Sequence, residues 1–282
     1  MATDTTSPLQ DIHVVSLAFN VPGPVAVMKL SRLGASVTRI EPTTGDHFAR
    51  WCPAWYADLC RDQTPVFLDL KTAPDREEME GLLHRGDLFL TSIRPAALAH
   101  LCLDWENVHA RHPRLCQVAI VGYPSPAQNR VGHDVTYLAG LGLISPPHLP
   151  RTLLADLAGA EQAVSAALAL LYARERGQGA GFAEVALSAS AEAFADPLRY
   201  GLTVPGSLLG GGSPRYNLYE AGEGWVAVAA LEEHFWARLI GELGLAGRDA
   251  TYEQLAIVFA TRTAREWEIW AASRDLPIAA VL

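Results

Sequence analysis

The sequence predicts an α/β fold whose first part is built on a largely parallel sheet, followed by a smaller α+β part. Three observations predict it. Short apolar runs alternate with helical patterns from residue 12 onward, and a Gly/Pro turn joins the first run to the first helix. After Gly210-Gly211-Gly212 the pattern changes to two alternating runs around a tight turn. A chain of 282 residues that is 50% hydrophobic and 19% charged can bury a full core, in one large domain or two smaller ones.

Residues 12–18 (IHVVSLA) form an apolar run suited to a strand covered on both faces. The stretch VPGPVAVMKLSRLGAS follows, with prolines at a helix start and Gly34 as its C-cap, and SVTRIEP is a second strand. Strand, turn, helix and strand make a right-handed βαβ unit. The turn lacks the GxGxxG dinucleotide fingerprint. Residues 43–64 are irregular and aromatic-rich, and are expected to be a surface excursion. PVFLDLKT is a strand, 73–85 a charged amphipathic helix, DLFLTSIRP a strand, 96–112 a helix and RLCQVAIVGY a strand. In such sheets ligands collect at the carboxyl ends of the strands. Those ends carry Arg39, Lys71, Ser92, Ile93, Arg94 and Tyr123, which together are candidates to hold a phosphate-rich ligand. Further on, GQGAGFAEVALSAS is a glycine-rich turn and short strand, 189–199 a helix, the runs around 221–224 a hairpin, and 232–245 and 252–274 helices.

The formal charge of −9 and the absence of a Lys/Arg run exclude an electrostatic grip on nucleic acid. The polar, acidic residues 1–11 do not read as a signal peptide. No membrane span is expected, because Gly, Pro or charge interrupts the apolar stretches. Cysteines 52, 60, 102 and 116 make no CxxC pair or zinc-ligand cluster, so free thiols in a reducing cytoplasm and no structural metal are expected.

The stretch 130–174 concentrates the chemistry. It holds Gly132-His133-Asp134, a Pro-broken loop, and Asp156 at the opening of a long alanine-rich helix. A histidine titrates near neutral pH, and a carboxylate at a helix start is favoured as an anion, so the pair suits proton transfer or nucleophilic attack. A capping role for Asp156 is the alternative from local sequence alone.

Taken in order, the blocks VPGPVAVMKLSRLGASVTRIEPTTGD, LDLK, SIRPAALAHLCLDW, HPRL with VGY, LADLAGAEQAVSAALALLYARERGQG and YNLYEAGEGWVAVAALEEHFW resemble those of the family III coenzyme A-transferase superfamily, the carnitine and bile-acid CoA-transferase group. Gly-His-Asp resembles the superfamily's α-methylacyl-CoA racemase branch. The resemblance implies a Rossmann-like large domain (1–200) with a mostly parallel sheet and a smaller α+β domain (201–282), in chains that form interlocked homodimers. It also implies an acyl-CoA substrate, with coenzyme A entering as part of the thioester, and no metal or other cofactor. By position, Lys71, Ser92, Ile93, His100, Leu101 and Tyr123 fall where relatives contact coenzyme A, with Arg39 and Arg94 in the same blocks. Pro42 stands where many members keep an arginine, and the 282 residues end near the family's PVL motif, before the segment that returns to the large domain.

Within the resemblance, Asp156 matches the catalytic carboxylate. In a transferase it attacks the thioester; in a racemase it is one of two proton-transfer bases, with His133 the other. Asp134 is expected to orient the imidazole, and Glu232 matches the acidic residue that pairs with this histidine in racemases. Racemisation also needs N–H donors, because a thioester α-proton is acidic only where the enolate oxygen is stabilised. Gly210-Gly211-Gly212 resembles the glycine loop over the active site, or is an inter-domain turn. The sequence supports three readings: 2-methylacyl-CoA racemase or epimerase, acyl-CoA:carboxylate CoA-transferase, and a non-catalytic CoA-binding paralogue.

Overall fold

The computed structural model describes residues 7–245 and 250–282, so residues 1–6 of the N-terminal stretch read above lie outside the described residues. The chain divides between Phe194 and Ala195 into two compact units.

The first unit runs β1 (His13–Leu17), α1 (Pro22–Arg32), β2 (Ser36–Glu41), α2 (His47–Trp51), α3 (Pro53–Leu59), β3 (Thr64–Phe67), α4 (Ala73–Arg85), β4 (Leu88–Thr91), α5 (Pro95–His100), α6 (Trp105–Arg111), β5 (Cys116–Val121), α7 (Asp134–Gly140), α8 (Leu154–Ala173), β6 (Phe182–Ala186) and α9 (Leu187–Ser190). Its strands form one sheet in the order β3-β2-β1-β4-β5-β6, parallel throughout. This is the doubly wound order, with its direction of winding reversing between β1 and β4.

Period-two alternation sorts the strand side chains into two cores. Val14, Leu88, Leu90, Cys116, Val118 and Ile120 pack with α1, α7 and α8 on one face. Val15, Leu17, Phe89 and Ile40 pack with α4, α5 and α6 on the other. The β1–α1 turn comes very close to the strand end: a Cβ on Gly23 would lie 2.6 Å from the Ala18 carbonyl carbon, which requires glycine there.

Several sequence expectations are corrected. Residues 43–64 lie mostly at the surface, as expected, but they are not irregular. Asp46 accepts the Phe48 N–H at 2.9 Å to cap α2, Pro53 opens α3, and Phe48 and Leu59 are buried. The helix expected over 96–112 is two, because Cys102 takes φ 54° and Leu103 N–H closes on Leu98 C=O at 2.9 Å. Asp104 then caps α6 through Asn107 N–H at 3.2 Å. A short helix, α7, stands between His133 and the proline loop. The expectation of no membrane-length segment is also revised: residues Leu154–Gln178 are long and apolar enough to cross a membrane by composition, with mean hydropathy 1.3. One face of that helix, Ala155, Ala160, Ala163, Ala167 and Leu171, is packed in the core against α1, β5 and β6.

The second unit begins within α10 (Glu192–Arg199) and holds β7 (Tyr216–Glu220), β8 (Trp225–Ala229), α11 (Glu233–Glu242), α12 (Tyr252–Phe259), α13 (Ala264–Ala272) and β9 (Ile278–Ala280). The expected hairpin is present, and β9 adds to it in the antiparallel order β7-β8-β9. The single helix expected over 252–274 is broken by a second capping box, Thr263 with Glu266. Buried Trp267, Phe259 and Tyr219 centre this unit's own core.

Candidate active site

The parallel sheet sends the segments after β1, β4 and β5 to one edge, at the point where its winding reverses. There they enclose a polar cavity of about 280 Å³. Phe19, Asn20, Ser92, Arg94, Arg130, His133, Tyr137 and Asp156 are among its lining residues. Ser92 is fixed by the neighbouring strand end, its Oγ accepting the Phe19 N–H at 2.7 Å.

His133 immediately precedes α7. Thr136 holds the turn, accepting the His133 N–H at 3.0 Å and donating to its carbonyl at 2.7 Å. Gly132 is required by packing: a Cβ there would lie 2.5 Å from Tyr137 Cε1 and 3.0 Å from Tyr123 Cε2. Tyr137 stands edge-on to Tyr123 with ring centroids 5.1 Å apart, and the Arg130 guanidinium lies 4.4 Å above the Tyr123 ring.

Asp156 lies in the first turn of α8, whose N-cap residue is Leu153. It is therefore not the cap. The cap comes from Asp134, whose Oδ1 accepts the N–H groups of Ala155 at 2.7 Å and Asp156 at 3.0 Å. This corrects two expectations. Asp134 is engaged with the α8 backbone, and among the described residues no hydrogen bond joins its carboxylate to the His133 ring. The helix N-terminus also does not leave Asp156 an ordinary anion. Burial, with the Asp134 charge adding to it, raises the Asp156 carboxyl from 3.8 to about 7. Burial and the Asp156 charge likewise push the Tyr137 hydroxyl up to about 12.

A second, apolar cavity of about 450 Å³ adjoins the polar one. Val21, Phe48, Trp51, Trp55, Val135 and Leu153 supply most of its wall, and no lysine or arginine is among the described residues that line it. Asn20, His133 and Asp156 line both cavities. The proton-transfer candidates thus stand where a polar space meets an apolar one.

The remaining sequence candidates disperse. Arg94, at the N-cap of α5, lines the polar cavity, and Ile93 is partly buried beside Ser92. Lys71 and His100 are exposed, while Leu101 lines a smaller hollow with Leu70 and Arg76. Arg39 is buried and committed internally: it pairs with Glu41, donates to Tyr56 Oη at 2.7 Å, and lies over the Tyr56 ring. A guanidinium held this way is a poor counter-ion for a phosphate, so its expected ligand role is not supported by its surroundings. Glu232 belongs to the second unit, where it is the N-cap residue of α11 without a side-chain capping bond. Gly210 to Gly212 form a tight turn in the same unit, in which a Cβ on Gly212 would lie 2.0 Å from Gly206 O. The four cysteines are free, and no cluster of three or more His, Cys, Asp or Glu able to hold a metal occurs among the described residues.

Sequence reasoning missed Asn20, Arg130, Tyr137 and the aromatic wall. Arg130 and Tyr137 flank the Gly-His-Asp triplet and could have been noticed. The wall was hidden because its residues only acquire an inward face once α2 and α3 form.

The profile of CoA-transferase family III matches residues 9–282. The chain belongs to CoA-transferase family III. Among related proteins of this family, it is 28% identical over 293 residues to alpha-methylacyl-CoA racemase of Mus musculus, covering 92% of this chain and 74% of that one. It is 25% identical over 262 residues to succinyl-CoA–D-citramalate CoA-transferase of Chloroflexus aurantiacus, covering 84% of this chain and 65% of that one. A hypothetical protein of Mycobacterium tuberculosis has a crystal structure with a TM-score of 0.84 at 24% identity, covering 98% of this chain and 83% of that chain. The family III fold is thereby established, with its parallel sheet, and the family assignment makes this an enzyme family that acts on acyl-CoA. Both racemase and transferase relatives occur at comparable identity.

Proposed function

We propose that this family III member is an α-carbon racemase or epimerase of a 2-methylacyl-CoA thioester with an apolar acyl group. The observation that carries the reading is that His133 and Asp156 line both the polar and the apolar cavity. A thioester placed across that junction has its coenzyme A end beside Arg94, Arg130 and Ser92 and its acyl end against Phe48, Trp51 and Trp55. One base removes the α-proton, and the C–H electron pair moves into the enolate. The other base delivers a proton to the opposite face, so no atom is gained or lost overall. A carboxyl near 7 suits both halves of that exchange at neutral pH. The enzyme is a cytoplasmic homodimer, and coenzyme A enters only as part of the substrate, with no resident cofactor.

Enantiopure 2-methylacyl-CoA incubated in deuterated water tests the proposal. Incorporation of α-deuterium with loss of optical purity is expected. If deuterium stays out, the racemase reading fails.

The transferase relatives favour a second reading, in which Asp156 attacks the thioester carbonyl to form an acyl-aspartyl anhydride and expels the coenzyme A thiolate. The thiolate then attacks the aspartyl carbonyl and releases the donor carboxylate, and the acceptor carboxylate takes coenzyme A from the resulting aspartyl thioester by the same two steps in reverse. Hydroxylamine trapping of an acyl-aspartate during coenzyme A exchange would select it. The apolar cavity argues against small dicarboxylate acceptors, since among the described residues that line it only His133 could carry a positive charge, and the other titratable carboxyls, Asp134 and Asp156, would repel an anion when ionised.

A further inference from the structure

An enolate at this junction needs a hydrogen-bond donor beside its oxygen, and several of the neighbouring donors have other commitments. The N–H groups of Ala155 and Asp156 are taken by Asp134, and Ser92 Oγ is held between the Phe19 N–H and carbonyl. Arg94 and Arg130 line only the polar cavity.

Asn20 is different. It is the one residue besides His133 and Asp156 that lines both cavities among the described residues. Its φ is 60°, a left-handed conformation that asparagine tolerates better than most side chains. The Asp46 carboxylate holds that conformation by accepting the Asn20 N–H, at 3.3 Å to Oδ1 and 3.0 Å to Oδ2. The same Asp46 caps α2, so the backbone of Asn20 is tied to the helix that supplies the aromatic wall. The backbone is therefore clamped, while the side-chain amide has no hydrogen-bond partner among the described residues.

We infer that the Asn20 side-chain amide donates a hydrogen bond to the thioester carbonyl oxygen and stabilises the negative charge that develops there. This rests on the proposed function for its rate effect, though not for the contact itself. In the racemase the charge is that of the enolate. If Asp156 is instead a nucleophile, it is that of the tetrahedral oxyanion formed when the carboxylate adds to the carbonyl carbon. No proton leaves Asn20 in either case.

Asn20→Gly keeps the left-handed backbone and removes the amide, and Asn20→Asp keeps the size and replaces the donor with an anion. Turnover is measured as α-deuteration and as coenzyme A exchange, with thermal midpoints recorded for both variants. A fall in kcat of about 10²-fold or more in each, with KM and the thermal midpoint little changed, is expected for a lost oxyanion donor. A second measurement does not depend on turnover. Infrared spectra are taken of a ¹³C-carbonyl-labelled acyl-CoA without an α-proton bound to each protein. The bound carbonyl stretch should lie lower in the wild type than in Asn20→Gly. Wild-type kcat in both variants, or an identical carbonyl stretch, overturns the inference while leaving the proposed function intact. A wild-type protein that neither exchanges deuterium nor transfers coenzyme A overturns the proposed function. The carbonyl stretch then still decides the contact.

Discussion

One oxygen of Asp134 accepts the backbone N–H of Asp156 at 3.0 Å, so the residue after His133 caps the helix that carries the second acid–base group. The two halves of the proposed catalytic pair are joined through a single carboxylate. It sets both the position of Asp156 and, through its charge, part of the rise of that carboxyl to about 7.

Asp134→Ala removes the cap and the charge together. It should cost about 0.5–2 kcal/mol of stability, as lost caps do. It should also lower kcat by about 10²-fold if Asp156 shifts by an ångström. Asp134→Asn keeps an acceptor oxygen and loses only the charge, so its fold should be nearly intact. Comparing the two by chemical denaturation and turnover separates positioning from electrostatics.

The pH profile distinguishes the two chemistries. A two-base racemase needs one proton shared between His133 and Asp156, which produces a bell-shaped kcat/KM whose limbs belong to the pair. A nucleophilic Asp156 needs only its anion, and activity should rise through about pH 7 to a plateau. In Asp134→Asn the acid limb should move to lower pH, because a like charge that raises Asp156 is gone.

Asp156 should also weaken the fold at alkaline pH. Its folded value of about 7 lies above the ordinary 3.8, so between those values the folded protein holds a proton that the unfolded chain has released. Stability from this group is then greatest at the acid end and declines as pH rises through that window. Asp156→Asn should abolish turnover yet melt higher than the wild type at pH 8, with the gap closing towards pH 4. An unchanged gap across that range would count against the raised carboxyl.

The aromatic wall should govern the acyl group. Trp51→Ala and Trp55→Ala are expected to raise KM roughly tenfold for long apolar acyl-CoA thioesters, comparable to losing about 1.4 kcal/mol of apolar contact. Acetyl-CoA, which cannot reach the wall, should bind both variants like the wild type. Inhibition constants for a graded acyl series give the measurement.

Much of this protein follows from local pattern. The alternation of apolar runs and helical periods placed β1 to β5 and the hairpin of β7 and β8. The Gly-His-Asp triplet and the start of α8 marked His133 and Asp156. These are short-range signals, carried by residues whose spacing alone decides which way they face. The division of 252–274 into α12 and α13 is equally local, signalled by the Thr263–Glu266 capping box.

Other features came from contacts between residues far apart in the chain. Asp134 reads locally as a partner for its neighbour His133, but its carboxylate reaches a helix that begins 20 residues later. Arg39 reads as a phosphate ligand at a strand end, but burial beside Glu41 and Tyr56 commits it internally. Residues 43–64 read as irregular because aromatic spacing without an opposing face has no period, and only α2 and α3 give Phe48, Trp51 and Trp55 a cavity to line. The sequence by itself determined the sheet, the family and the catalytic candidates, since each rests on periodicity or motif. Only the tertiary structure decided which polar groups were already satisfied. A hydrogen bond or ion pair formed across the fold removes a side chain from the site, while the Asn20 amide, without a partner among the described residues, stays open at the cavity junction.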